Sequence, residues 1–184
     1  LIARALFEKG LFQVGHFVVD GIASPYRLQL SMLPSYPALM SQIVDAMAVI
    51  VGQDDCDFLL STPDASALAG AVSVQAKIPL VHSRGRGEKA VFDLVGAYDV
   101  GHPSCLVTYT TRDADIRRVI EAGQQTGLEV RRVVAILDAQ ADAIFSVPVS
   151  SLVTLSVVVD ELARDGLLPA QQAQAIRGFI RRPS

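Results

Sequence analysis

Ser104-Cys105-Leu106-Val107-Thr108, residues 113–126 at helical spacing, and Val130-Arg131-Arg132-Val133-Val134-Ala135-Ile136-Leu137 form the stretch that decides the fold. A short apolar run, a helix and a second apolar run are the parts of a right-handed crossover joining two parallel strands of one sheet. Gly127 stands where the helix has to stop, at the C′ position that favours glycine. Working outward, the unit recurs on the N-terminal side. Asp57-Phe58-Leu59-Leu60-Ser61 leads into a helix over 65–76 and then to Pro79-Leu80-Val81-His82. On the C-terminal side a strand over 151–155 precedes helices over 157–165 and 170–180. Before these units the spacing predicts a helix over 1–8 and a hairpin over 15–30 turning at Asp20-Gly21. An amphipathic helix over 37–51 follows, with Leu39, Ile43, Val44, Met47 and Ile50 on its apolar face. The pattern predicts an α/β fold with a central parallel sheet flanked by helices.

The 184 residues suit one domain spanning 1–184, and the 51% apolar content suits strands covered on both faces together with an oligomer interface. The stretch Ser83-Arg84-Gly85-Arg86-Gly87-Glu88-Lys89 is too polar and glycine-rich to pack, so it is expected to form an exposed loop. Residues 90–100 read as two short strands folding back. No run approaches the ~20 unbroken apolar residues of a membrane span. The first residues alternate apolar and polar, without the charged and then apolar regions of a secretory signal. A net charge of −3 gives no long-range attraction to nucleic acid or to an anionic membrane. Cys56 and Cys105 lie beside apolar runs without metal or redox spacing, which reads as two buried small hydrophobes in a reducing cytoplasm. His16, His82 and His102 are far apart and no nucleophile is paired with them, which argues against zinc or a Ser-His-Asp site.

Several phrases, taken in order, resemble the orotate phosphoribosyltransferase family over nearly the whole chain. Gly15-His16-Phe17 followed by Asp20-Gly21-Ile22-Ala23-Ser24-Pro25-Tyr26 resembles its entry hairpin. Gly96-Ala97-Tyr98-Asp99-Val100-Gly101 resembles the segment leading into its nucleotide-binding strand. Ser151-Leu152-Val153-Thr154-Leu155, Glu161-Leu162 and Gly166-Leu167-Leu168 resemble its closing strand and helix. The resemblance implies a type I phosphoribosyltransferase fold with an N-terminal hood over 1–35 and a core with C-terminal helices over 36–184. It further implies a homodimer and a place among transferases of pyrimidine nucleotide metabolism.

That chemistry holds a ribose bearing a 5′-phosphate and a 1-pyrophosphate while its C1 becomes positive and a pyrimidine nitrogen attacks. Four parts supply it in the family, and each is altered here. The ribose-phosphate loop, two acidic residues and then a Thr-Thr-Gly-Gly-type turn, corresponds to Thr108-Tyr109-Thr110-Thr111-Arg112-Asp113-Ala114-Asp115. Thr108 and Tyr109 replace the acidic pair, and Asp113 and Asp115 bring negative charge to the helix end that would hold phosphate. Asp113 also reads as a helix cap. The pyrophosphate loop corresponds to Ser61-Thr62-Pro63-Asp64-Ala65-Ser66, where Asp64 adds a carboxylate and reads as an N-cap. In the catalytic loop Arg84 matches the family, Gly85 takes a lysine's place, and Arg86 and Lys89 remain as anion-binding candidates. Val19 takes the place of the hairpin lysine, and Ala139 that of the arginine after the Val130 strand.

The altered positions lead to the expectation of a family member without efficient catalysis. It would bind a phosphate-bearing or nucleotide-like small molecule, or act as a regulatory or structural subunit. The ligand-binding candidates are Ser61, Thr62, Pro63, Asp64, Thr108, Tyr109, Thr110, Thr111, Arg112 and Asp113; the catalytic candidates are Arg84, Arg86 and Lys89. The alternative is an active phosphoribosyltransferase of altered substrate choice, which alone would call for Mg²⁺. A third reading, RNA binding, rests on Arg117-Arg118, Arg131-Arg132 and Arg181-Arg182, without interleaved aromatics.

Overall fold

The computed structural model describes residues 2–19, 21–53, 55–84, 93–139 and 145–180. At its centre Pro103–Thr110 (β6) runs with six consecutive buried residues, 104–109, because it is flanked by a strand on each side and covered on both faces. Phe58–Ser61 (β3) and Glu129–Asp138 (β7) pair with it in parallel, Leu60 opposite Leu106 and Val134 opposite Val107. Leu80–Arg84 (β4) extends the sheet beyond β3, and Val149–Thr154 (β8) extends it beyond β7, both parallel. Asp93–Val95 (β5) closes one edge antiparallel to β4, giving the order β5-β4-β3-β6-β7-β8.

Strand alternation divides the core into two layers. Leu59, Cys105, Val107, Val134 and Ile136 face the larger one, where they meet helices Pro37–Gly52 (α2), Ser66–Ala76 (α3), Leu155–Arg164 (α5) and Ala170–Ile180 (α6), together with the short N-terminal helix Ile2–Glu8 (α1). Leu60, Leu106 and Val133 face the other, where Ile116–Gln125 (α4) lays down Ile116, Val119 and Ile120 while Arg117, Arg118 and Glu121 point outward. Gly123 allows the close approach: a Cβ there would stand 3.0 Å from Val130 Cγ2 and 3.1 Å from Leu60 Cδ1. Phe12–Val19 (β1) and Ile22–Leu28 (β2) form a separate antiparallel hairpin, packed on α6 and joined to α2 through a 3-10 turn over Leu30–Ser35.

Several expectations are corrected. α4 starts at Ile116, because the Asp113 carboxylate is engaged elsewhere: Oδ1 accepts from the Asp115 amide at 2.9 Å and Oδ2 from the Thr108 hydroxyl at 3.1 Å. Asp113 therefore holds a turn ahead of the helix rather than capping it. Asp64 is no cap either, since α3 follows Ala65 with no side-chain cap and Asp64 is exposed. Ser83 and Arg84 belong to β4, not to a loop, and residues 85–89 lie outside the described residues. Of the two strands expected over 90–100, β5 is present and residues 90–92 also fall outside.

Cys56 and Cys105 are buried, as expected, but they are joined in a disulfide across 49 residues of sequence. Pairing of β3 with β6 brings their Cα atoms to 6.1 Å, a proximity that sequence spacing does not reveal.

Two stability measurements check this architecture. Gly127, at φ +86°, ends α4, and a Cβ there would meet Val100 Cγ1 at 2.7 Å. Gly127→Ala is expected to destabilise the protein by about 1–3 kcal/mol, read as a lowered urea midpoint. Thiol titration in denaturant is expected to find no free thiol before reduction, and reduction is expected to lower the Tm by an amount corresponding to about 2–4 kcal/mol.

Candidate functional site

Parallel strands of one sheet end on one side, and there their outgoing turns build a crevice. The turn after β3 supplies Asp64, the end of β6 supplies Tyr109 and Thr110, and the turn after β6 supplies Arg112, Asp113 and Asp115. The hairpin covers them with Val19, Ser24, Tyr26 and Arg27, enclosing a cleft of about 400 Å³.

The cleft has two electrically distinct ends. At the hairpin end Arg112 Nη1 donates to the Tyr26 hydroxyl at 2.7 Å, and the guanidinium lies 5.8 Å from the Phe179 ring centre. Tyr26 and Phe179 meet edge to face at 5.8 Å, so β2, the turn after β6 and α6 converge on this arginine. Burial raises the Tyr26 hydroxyl above its ordinary pKa, and the Arg112 charge partly opposes the rise. Arg27 is engaged differently: Nε and Nη2 donate to Gln13 Oε1 at 3.2 and 2.6 Å, and its guanidinium lies 4.8 Å from the Phe17 ring centre.

At the other end are Asp64, Asp113 and Asp115. The Asp115 carboxyl is raised, first by burial and next by the Asp113 charge; Arg118 at 3.6 Å opposes this, and Asp64 adds to it. Tyr109 is raised by burial and then by Asp64. Among the described residues no group of three or more His, Cys, Asp or Glu side chains is placed to hold a metal ion.

The ligand candidates thus separate into two sets. Asp64, Tyr109, Thr110, Arg112 and Asp113 line the cleft. Ser61, Thr62, Thr108 and Thr111 are buried beneath it. Thr62 Oγ1 lies 3.4 Å from Thr108 Oγ1, and Thr108 donates to Asp113. Thr111 Oγ1 donates to Asp138 at 2.9 Å and accepts from the Ala139 amide at 3.0 Å. The Ser61 carbonyl accepts from the Ser83 hydroxyl at 2.7 Å, and Pro63 is half-buried beside the cleft. Arg84 is exposed at the end of β4, 3.7 Å from Asp93, and Arg86 and Lys89 lie outside the described residues. Sequence reasoning missed Arg27 and Phe179, and it quoted Tyr26 only as part of a motif. Tyr26 and Arg112 are 86 residues apart, and no local signal announces their bond.

Comparison with known proteins agrees with this architecture. No protein-family model matches the sequence. Over 190 aligned positions the chain is 23% identical to the orotate phosphoribosyltransferase of Sulfolobus acidocaldarius, covering 96% of this chain and 94% of that one. Among solved structures, the orotate phosphoribosyltransferase of Aeropyrum pernix superposes with a TM-score of 0.78 at 19% identity, covering 89% of this chain and 99% of that one. The chain is orotate phosphoribosyltransferase-like. It has the type I phosphoribosyltransferase fold, a mostly parallel sheet between helices with a small N-terminal hairpin. UMP synthase of Leishmania donovani gives a TM-score of 0.85 at 23% identity over 97% of this chain, which spans 41% of that longer protein.

Asp115 offers a test of the acidic end. A carboxyl whose folded pKa is raised above its unfolded value costs stability when ionised, so stability is lost as pH rises through the folded pKa. Asp115 is the N-cap of α4 without a side-chain cap bond, so Asp115→Asn removes repulsion and no capping bond. The variant is expected to raise the Tm at pH 7 by about 1–3 °C, after loss of the weak Arg118 pair. In thermal melts across pH the gain should shrink as pH falls through the folded pKa and vanish well below the ordinary aspartate pKa of about 3.9, where both states are protonated.

Proposed function

We propose that this orotate phosphoribosyltransferase-like chain binds a phosphate-bearing, nucleotide-like small molecule in the cleft beneath the hairpin and does not catalyse phosphoribosyl transfer efficiently. The observation that carries this reading is the fate of the two positions where the family places its acidic pair. Thr108 is fully buried and bonded to Thr62 and Asp113, and the Tyr109 ring is 5% exposed at the cleft wall. Neither side chain is a carboxylate able to grip ribose hydroxyls or to bring a magnesium ion to a pyrophosphate. The helix end that would receive a 5′-phosphate carries Asp113 and Asp115, and Asp64 stands at the pyrophosphate loop. In a low-dielectric cleft these charges oppose a ligand with anions at both ends. A homodimer is part of the proposal, supported by the family resemblance and by the exposed valines Val49 and Val74 on α2 and α3.

Of the arginines behind the RNA reading, Arg181 and Arg182 lie outside the described residues. Arg118 is beside Asp115, Arg131 is 3.0 Å from Glu129, and Arg132 donates to Ser150 at 2.6 Å, so these arginines are engaged locally.

Isothermal titration and a turnover assay test the reading together. A nucleoside monophosphate is expected to bind, phosphoribosyl pyrophosphate with Mg²⁺ is expected to bind at least tenfold more weakly, and orotate is expected to yield no nucleotide. Tight binding of phosphoribosyl pyrophosphate, or turnover at an ordinary enzymatic rate of roughly 1 s⁻¹ or more, would overturn it.

A further inference from the structure

Two arginines line the cleft, and their surroundings differ. Arg27 is held by two bonds to Gln13 and by the Phe17 ring. Arg112 spends one N–H on a neutral phenol, and no carboxylate among the described residues pairs with its guanidinium. It is nonetheless fixed, by Tyr26 on one side and Phe179 on another, so little side-chain freedom remains to be lost on binding. A guanidinium presents five donors in a planar fork that matches phosphate oxygens two at a time.

On the reading given under Proposed function, we infer that Arg112 is the phosphate anchor of the cleft: a phosphate monoester sits at the hairpin end against the remaining N–H groups of Arg112 and beside the Tyr26 hydroxyl, away from the amides that open α4. The rest of the ligand then lies toward Asp64, Asp113 and Asp115. Carboxylates accept hydrogen bonds from hydroxyls and repel a second anion, so the cleft selects ligands with one phosphorylated end and one hydroxyl-bearing, uncharged end. Discrimination against a diphosphorylated sugar follows from the same charges.

The test uses UMP, uridine and phosphoribosyl pyrophosphate as probes in calorimetric titrations of the wild-type chain and of Arg112→Gln, Arg112→Lys and Tyr26→Phe, each checked for native circular dichroism. The wild type is expected to bind UMP more tightly than uridine, and Arg112→Gln to weaken UMP by roughly ten- to a hundredfold while leaving uridine unchanged. Arg112→Lys should recover part of the loss, since it restores charge without the fork. Tyr26→Phe keeps the ring that packs on Phe12 and Phe179, and should weaken UMP only a few-fold. Should Arg112→Gln bind UMP as the wild type does, the anchor is wrong while the nucleotide-binding reading stands. Should phosphoribosyl pyrophosphate bind the wild type as tightly as UMP, the single-phosphate selectivity is wrong. Should the wild type bind no phosphorylated probe, both readings fall.

Discussion

The hydroxyl of Thr108 is the small group on which the shape of the site depends. It lies on the central strand, fully buried, where an unmade hydrogen bond costs about 1–3 kcal/mol. Asp113 satisfies it from five residues further on, and the same carboxylate takes the Asp115 amide. This double duty pulls the chain into a turn after β6 and delays α4 to Ile116. It also turns Arg112 outward to meet Tyr26, which closes the hairpin over the cleft. Thr62, 3.4 Å from Thr108, ties the turn after β3 to the same point, so the two strand ends that build the site share one buried polar junction.

That junction gives the cleft an electrostatic pattern at odds with binding anions along its whole length. A helix start bare of acids attracts phosphate through its free amides and its dipole. Here one of those amides is already taken by Asp113, and Asp115 adds a second carboxyl, whose own pKa is raised first by burial and then by the Asp113 charge. Positive charge has moved to the other end, onto Arg112. The cleft is polarised along its length, and a ligand has to match both ends.

Most of the sheet was legible because its determinants are local. Apolar runs such as 105–107 and 133–137 alternate with the periodic face of α4, and burial of both strand faces leaves few other ways to arrange them. Gly127 marked a helix end because its positive φ is a backbone property of one residue. The site was legible only in outline. Asp64 and Asp113 looked like caps, since a cap and a turn-forming aspartate have the same local sequence, and only the partner of the carboxylate tells them apart. Buried threonines at strand ends likewise read as ligand contacts, although Thr111 spends its hydroxyl on Asp138 and Ala139. The disulfide and the Arg112–Tyr26 bond were invisible because each joins segments that only the completed fold brings together.

The division between a conventional sheet and an altered site has a physical basis. Pairing of β3, β6 and β7 rests on Leu59, Leu60, Leu106, Val107, Val133 and Val134, none of which reaches the cleft, so changes at the strand ends leave the sheet's main source of stability untouched. A carboxylate buried at position 108 would need charge-assisted partners or a metal, and without them it would destabilise the core it enters. A threonine bonded to Thr62 and Asp113 meets the same burial with neutral hydrogen bonding on one side and a half-exposed carboxylate on the other. Tyr109 fills space with an aromatic ring, its hydroxyl raised in pKa first by burial and then by the Asp64 charge. Both residues are compatible with the proposed loss of a grip on an activated sugar, and the cleft above them holds one well-held cation, Arg112.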